Sequence, residues 1–304
     1  MITTNDLLTT RLKVVERLKT NFPWLGRPVK SLGVKSLANN RTDEFKGIAV
    51  ENSQPAQEQI PSTDSQPDGE HLEGFEYRKL IEQQPAYTVL LGICDDGLAL
   101  TLDLTNPAPG AILVAGDRQA GKTRLLKSIM ASAAAINDPS QVSYQIITPN
   151  IHEFTDLAEF EHCRGLSASR DPQAARLIEA LYNESEQRRQ NPGGQVIILV
   201  IEELQSLVQS LDGNMLPKLL RLIKHGPRLG IWTFASLPSW EVEQTEPNLL
   251  EAFRTHLLGY LSDAVMAAYL ARDDACPAEQ LKKGYQFCAS VAGEWLSFGI
   301  YDTK

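Results

Sequence analysis

Residues 116–123 read Gly116-Asp117-Arg118-Gln119-Ala120-Gly121-Lys122-Thr123, a G-x-x-x-x-G-K-[ST] string. It directly follows a short apolar run at 111–115 and opens a stretch from about 121 to 136 with helical spacing. A strand, a glycine-rich bend and a helix in that order leave little freedom of fold. The glycines let the bend curl so that consecutive backbone N–H groups face inward, and the positive end of the following helix adds to the field on an anion. The expected product is a phosphate cradle formed by Gly116, Asp117, Arg118, Gln119, Ala120, Gly121, Lys122, Thr123 and Arg124. Lys122 is expected to reach the β- and γ-phosphates of ATP, and the Thr123 hydroxyl to coordinate Mg²⁺. The competing reading is a glycine-rich turn without a ligand.

The chain around this string has 304 residues, 42% of them apolar and 22% charged, which suits one large or two modest globular domains. Its longest apolar runs fall well short of the ~20 residues that span a bilayer, so membrane insertion is not expected and a cytoplasmic setting is. Cys94, Cys163, Cys276 and Cys288 are widely spaced, without the pairing of a zinc site or a disulfide framework. Net charge is −9, but the distribution is uneven. Residues 1–50 hold nine Lys or Arg against four Asp or Glu, whereas residues 51–76 hold seven acidic and no basic residues.

Three regions follow. In 1–38, Leu7, Leu8, Leu12, Val15 and Leu18 recur at helical steps with Arg11, Lys13, Arg17 and Lys19 mostly opposite, an amphipathic basic arm. Its stripe is expected to dock on the parent domain, a neighbouring subunit or a protein partner in preference to lipid. Residues 39–76 are polar and acidic with few large apolar groups, and read as a flexible linker. From 77 to 304, short apolar runs alternate with helical patterns, which predicts a mainly parallel sheet with helices on both faces. Strands are expected at 87–94, 98–104, 111–115, 142–148, 196–201, 231–235, 256–261, 285–291 and 295–301, and helices at 121–136, 172–189, 216–225 and 263–272.

The run Val196–Ile201 ends in Glu202-Glu203, two carboxylates at a strand tip where parallel sheets open their ligand crevice. Beside a phosphate loop, Glu202 is expected to hold Mg²⁺ through its water shell, and Glu203 to polarise the attacking water. The alternative is a pair of acids that merely favours the dipole of a following helix. Arg228 and Arg221 could supply positive charge to the transition state of a neighbouring subunit, or be ordinary surface arginines. Trp232 and Trp240 could stack on bases or fill a core.

Several strings resemble the FtsK/HerA family of ring-forming motor ATPases, especially its FtsK/SpoIIIE branch, over about residues 86–304. They are Val89-Leu-Leu-Gly-Ile93, Leu102-Asp-Leu-Thr105, Ile112-Leu-Val-Ala-Gly116, Thr148-Pro149-Asn150-Ile-His-Glu153-Phe154, Glu186-Gln-Arg-Arg189, Val200-Ile-Glu-Glu-Leu204 and the stretch 221–231. The resemblance implies a RecA-like fold, a homo-oligomeric ring, a hexamer in the simplest case, and Arg228 completing a neighbour's site. It implies double-stranded DNA as the polymer moved, or protein, as for secretion ATPases of the superfamily. A third expectation is a nucleotide-dependent assembly module with little hydrolysis.

Three departures bear on turnover. Glu202 stands where the family usually has Asp, Thr148 and Asn150 replace an Asp and a Lys, and Ala235-Ser236-Leu237-Pro238-Ser239 lacks the family's sensor Gln. Nucleotide binding is expected to survive these changes better than fast hydrolysis. The family's membrane segment and winged-helix DNA-reading domain have no expected counterpart.

Overall fold

The computed structural model describes residues 80–291 and 293–300, so the amphipathic arm at 1–38 and the linker at 39–76 lie outside the described residues. Ten strands form one sheet: β1 (Thr88–Cys94), β2 (Ala99–Asp103), β3 (Ile112–Gly116), β4 (Val142–Thr148), β5 (Cys163–Ala168), β6 (Val196–Ile201), β7 (Ile231–Pro238), β8 (Thr255–Leu258), β9 (Gln286–Val291) and β10 (Glu294–Gly299). Their order is β2-β1-β10-β9-β8-β3-β7-β6-β4-β5. The six strands from β8 to β5 run parallel, and β9, β10, β1 and β2 extend the sheet in antiparallel fashion. This is a RecA-like P-loop architecture, mixed α/β with a mostly parallel sheet.

The helices are α1 (Lys122–Ile136), α2 (Thr155–Ala158), α3 (Pro172–Gln190), α4 (Leu204–Val208), α5 (Met215–His225), α6 (Pro247–Ala252) and α7 (Ala264–Ala271). β3 and β6 are apolar along their whole length because both of their faces are covered. In β3, Leu113 and Ala115 join a core with α3, α4, α5, α6 and α7, whereas Ile112 and Val114 face α1 across the other side. Leu199 and Ile201 of β6 divide in the same way from Ile198 and Val200. The alternation is the two-residue period of a pleated strand, with oil on each side.

Sequence reading missed β5, whose Cys163-Arg-Gly-Leu-Ser-Ala168 lies at a sheet edge and is mostly half-exposed. It also missed three helices of four to six residues, too short for periodicity to register. Strand β7 runs three residues further than expected, through Ser236 and Leu237 to Pro238; Ser236 and Pro238 line the site's cavity, while Leu237 turns into the core.

Candidate functional site

The site lies at the C-terminal edge of the parallel strands, where register fixes its parts. Gly116 at the end of β3 pairs with Pro238 of β7, Ala115 pairs with Leu258 of β8, and Ile201 of β6 pairs with Ala235. Loop 116–121 and the residues after β6, β7 and β8 therefore converge on one crevice. A cavity of about 500 Å³ opens there, lined among others by Lys122, Thr123, Glu203, Ser236, Trp240 and Gly284.

The loop is shaped as an anion cradle. Gly121 has φ +92° and begins α1 with no side-chain cap and no acid in the first turn, so among the described residues no side chain caps the helix's leading amides. A Cβ at Gly121 would stand 2.4 Å from the Gly284 carbonyl oxygen, so any other residue would force the loop off its support. Lys122 Nζ donates to the carbonyl oxygens of Gly116 (3.0 Å) and Asp117 (2.8 Å), and lies 5.7 Å from the Trp240 ring centroid. Burial brings its pKa down to about 8, against the pull of Asp117 and the glutamates around it.

Asp117 is a structural tie. Its carboxylate accepts from Ser239 Oγ (2.5 Å) and from the backbone N–H (2.9 Å) and hydroxyl (2.7 Å) of Ser262, while its own N–H donates to the Tyr260 carbonyl (2.9 Å). Partial burial pushes its pKa up, but the Ser239 and Ser262 hydrogen bonds outweigh that and hold it below the ordinary carboxylate value. One side chain thus fastens the loop to the segments after both β7 and β8.

On the other flank, the Thr123 hydroxyl donates to Glu202 Oε1, and the Thr148 hydroxyl donates to Glu202 Oε2 at 2.5 Å. Burial raises the Glu202 pKa despite these two donors. The two hydroxyls thus hold both carboxylate oxygens of Glu202. Thr123 and Glu202 carry hard oxygen donors of the kind that suits Mg²⁺, so these two residues would hold a metal carried by phosphates. Glu203 has φ +52°, an uncommon backbone state for a side-chain-bearing residue, and its N–H donates to Ser236 Oγ at 2.9 Å. That turn puts Glu203 on the cavity wall beside Lys122.

Of the residues expected from sequence, Arg118, Gln119, Gly121, Lys122, Thr123, Arg124 and Glu203 line the cavity. Gly116, Asp117 and Ala120 shape the loop behind it, and Glu202 joins through Thr123. Arg228 is not brought to them. It lies in the 3₁₀ turn Gly226–Leu229 before β7, about 25 Å from that strand's phosphate end at ~3.3 Å per residue. Arg221 pairs with Glu186 (3.5 Å) and Tyr182 (3.3 Å). Trp232 is core, fully buried with its N–H on the Leu104 carbonyl, whereas Trp240 is 52% exposed over the cavity. His162 Nε2 donates to the Asn137 carbonyl (2.8 Å) and the ring stacks on Tyr144, a structural role at the end of α1. Ser262 and Gly284 were not foreseen as site residues, since they meet the loop only through strand order; Ser236 and Ser239 were read only as part of the 235–239 string, and Trp240 only as a residue that stacks on bases or fills a core.

The FtsK/SpoIIIE family model matches residues 75–192, a span that holds the phosphate loop and Thr148 and ends before Glu202. No curated protein matches the chain. Among solved structures, Thermomonospora curvata EccC (ATPases 2 and 3) in complex with a signal sequence peptide is similar at 18% identity and TM-score 0.59, over 72% of this chain and 41% of that one. EssC (ATPases 2 and 3) from Geobacillus thermodenitrificans is similar at 17% identity and TM-score 0.61, over 72% and 46%. The pCW3 conjugation coupling protein TcpA, monomer form with ATPγS, is similar at 18% identity and TM-score 0.56, over 73% and 68%. The chain spans less than half the length of the EccC and EssC chains. At these identities the likeness is one of fold, that of FtsK/SpoIIIE-type P-loop ATPases. No helix among the described residues is long and apolar enough to cross a membrane.

Proposed function

We propose that the chain is an ATP-hydrolysing motor module that works as a ring and moves double-stranded DNA. The observation that carries the ATPase reading is the joining of Thr123 to Glu202, beside Lys122 and Glu203, at the mouth of an uncapped helix. Lys122 would exchange two loop carbonyls for phosphate oxygens, and the amides of 116–123 would hold the chain of phosphates. Thr123 and Glu202 would hold Mg²⁺, which when bound neutralises developing charge on the phosphates. Glu203 would orient and deprotonate water. Arg228, too far from its own site, would serve a neighbouring copy.

DNA is supported by the fold shared with a conjugation coupling protein and by Lys224, His225 and Arg228, exposed at the end of α5 and the turn after it. A second reading, protein as the polymer moved, has its own support. Lys218 is tied to Glu179 at 2.5 Å and Arg221 to Glu186, so much of the α5 charge is already neutralised, and the type VII secretion ATPase EccC shares the fold. ATPase rate measured against protein concentration, with and without double-stranded DNA, separates these. The proposal expects a rate per chain that rises with concentration and again with DNA. A concentration effect without a DNA effect favours the protein reading, and no turnover at any concentration overturns hydrolysis.

A further inference from the structure

The order of strands orients a bound nucleotide. On one side of β3 stand β7 and β6, which bring Ser236, Glu202 and Glu203; on the other stand β8 and β9. Metal and hydrolytic groups thus claim the β7–β6 side, and the γ-phosphate must point there. The remainder of the molecule leaves the cradle on the opposite side, over β8 and β9.

That side carries a built surface. Between the 3₁₀ turn Ala278–Gln280 and β9, the turn 281–285 packs its Gly284 against Gly121 of the loop, and Gly284 lines the cavity. Buried Leu281 anchors the turn. So do the Gln286 N–H to the Lys282 carbonyl (3.1 Å), the Lys282 N–H to Gln286 Oε1 (3.0 Å) and the Ile300 N–H to the Tyr285 carbonyl (2.8 Å). Its two lysines are exposed and each lies over a half-buried tyrosine: Lys283 Nζ is 5.5 Å from the Tyr260 ring centroid, and Lys282 Nζ is 5.9 Å from that of Tyr285. Tyr260 is itself tied to the loop through its carbonyl and the Asp117 N–H.

We propose that the turn 281–285 together with Tyr260 is the platform for the base and ribose of the nucleoside triphosphate. Tyrosine faces offer stacking, which tolerates any base, and the ammonium groups offer donors to ring nitrogens, exocyclic oxygens and ribose hydroxyls. A stacked base displaces an ammonium from above a ring to its edge, where it can donate. The inference rests on the phosphate reading of the loop and adds to it the residues that tell a nucleotide from a bare polyphosphate.

Calorimetric titration of the full chain with Mg²⁺ and either ATP or inorganic tripolyphosphate tests this. Wild type, the exposed double variant Lys282→Ala/Lys283→Ala and the ring variant Tyr260→Ala/Tyr285→Ala are compared. The expected result is that ATP binds wild type more tightly than tripolyphosphate, and that the variants lose about tenfold or more in ATP affinity relative to tripolyphosphate, the scale of base stacking. An ATP-to-tripolyphosphate ratio unchanged in both variants overturns the platform and leaves the loop reading intact. Failure of tripolyphosphate and ATP alike to bind wild type overturns both.

Discussion

Lys122 shows how one residue carries both a fold constraint and a chemical one. Its ammonium is turned inward onto two carbonyls of its own loop, and burial has brought its pKa to about 8. A bound polyphosphate favours the charged form and raises that pKa, so binding takes up a proton where the free protein has lost one. ATP affinity is therefore expected to be flat below pH 8 and to fall by up to about tenfold per pH unit above it, with proton uptake visible in buffers of different ionisation enthalpy. A lysine at the ordinary ~10.4 would leave affinity level to about pH 9.5. Glu203→Gln keeps shape and removes the base: ATP binding should persist while turnover falls by about 10²–10⁴, read from calorimetry and steady-state rates together. Normal turnover in that variant assigns the base elsewhere. The Gly116–Thr123 string and the Glu202-Glu203 pair were legible because their chemistry is local. The Asp117 tie to Ser239 and Ser262 was not, since 122 and 145 residues separate the partners.

At the scale of elements, β4 and β6 coincide with the runs read from sequence; β6 is apolar throughout because both its faces are covered, and β4 is rich enough in Val, Tyr and Ile to register despite Ser143 and Gln145. β5 escaped, as an edge strand has no such demand. A less visible device is at the far end of α3. Arg188, 5% exposed, pairs with Glu184 at 2.8 Å and donates to the carbonyls of Leu229 (3.0 Å) and Gly230 (3.4 Å). Gly230, at φ +71°, leaves room for the guanidinium: a Cβ there would stand 3.2 Å from it. Arg188 thus fixes the turn that carries Arg228. Replacing it with Met should cost about 2 kcal/mol in urea denaturation, the scale of charge-assisted hydrogen bonds lost in a buried place. Stability equal to wild type would show that the turn is held by other means.

The whole molecule is polar along its strands, with the phosphate loop at one end and Arg228 at the other. A single copy cannot use both. If copies stack head to tail, Arg228→Ala should reduce turnover by about 10³-fold or more only where concentration permits assembly, leaving ATP binding by the isolated chain unchanged. A defect of equal size in a dilute, monomeric preparation would contradict an intersubunit role. What the arm at 1–38 contributes to such assembly lies outside the described residues. The neutralisation of Lys218 by Glu179 and of Arg221 by Glu186 was not legible in sequence, because it depends on α3 packing beside α5.

All of this depends on the bend between β3 and α1 holding a nucleoside triphosphate. Titrating Mg²⁺ and ATP into wild type and Lys122→Ala is the direct measurement. Saturable binding by wild type, weakened about 100-fold or more in Lys122→Ala, is the predicted result, as expected from loss of a charged donor to phosphate in a partly buried site. Equal affinities in the two proteins would contradict it.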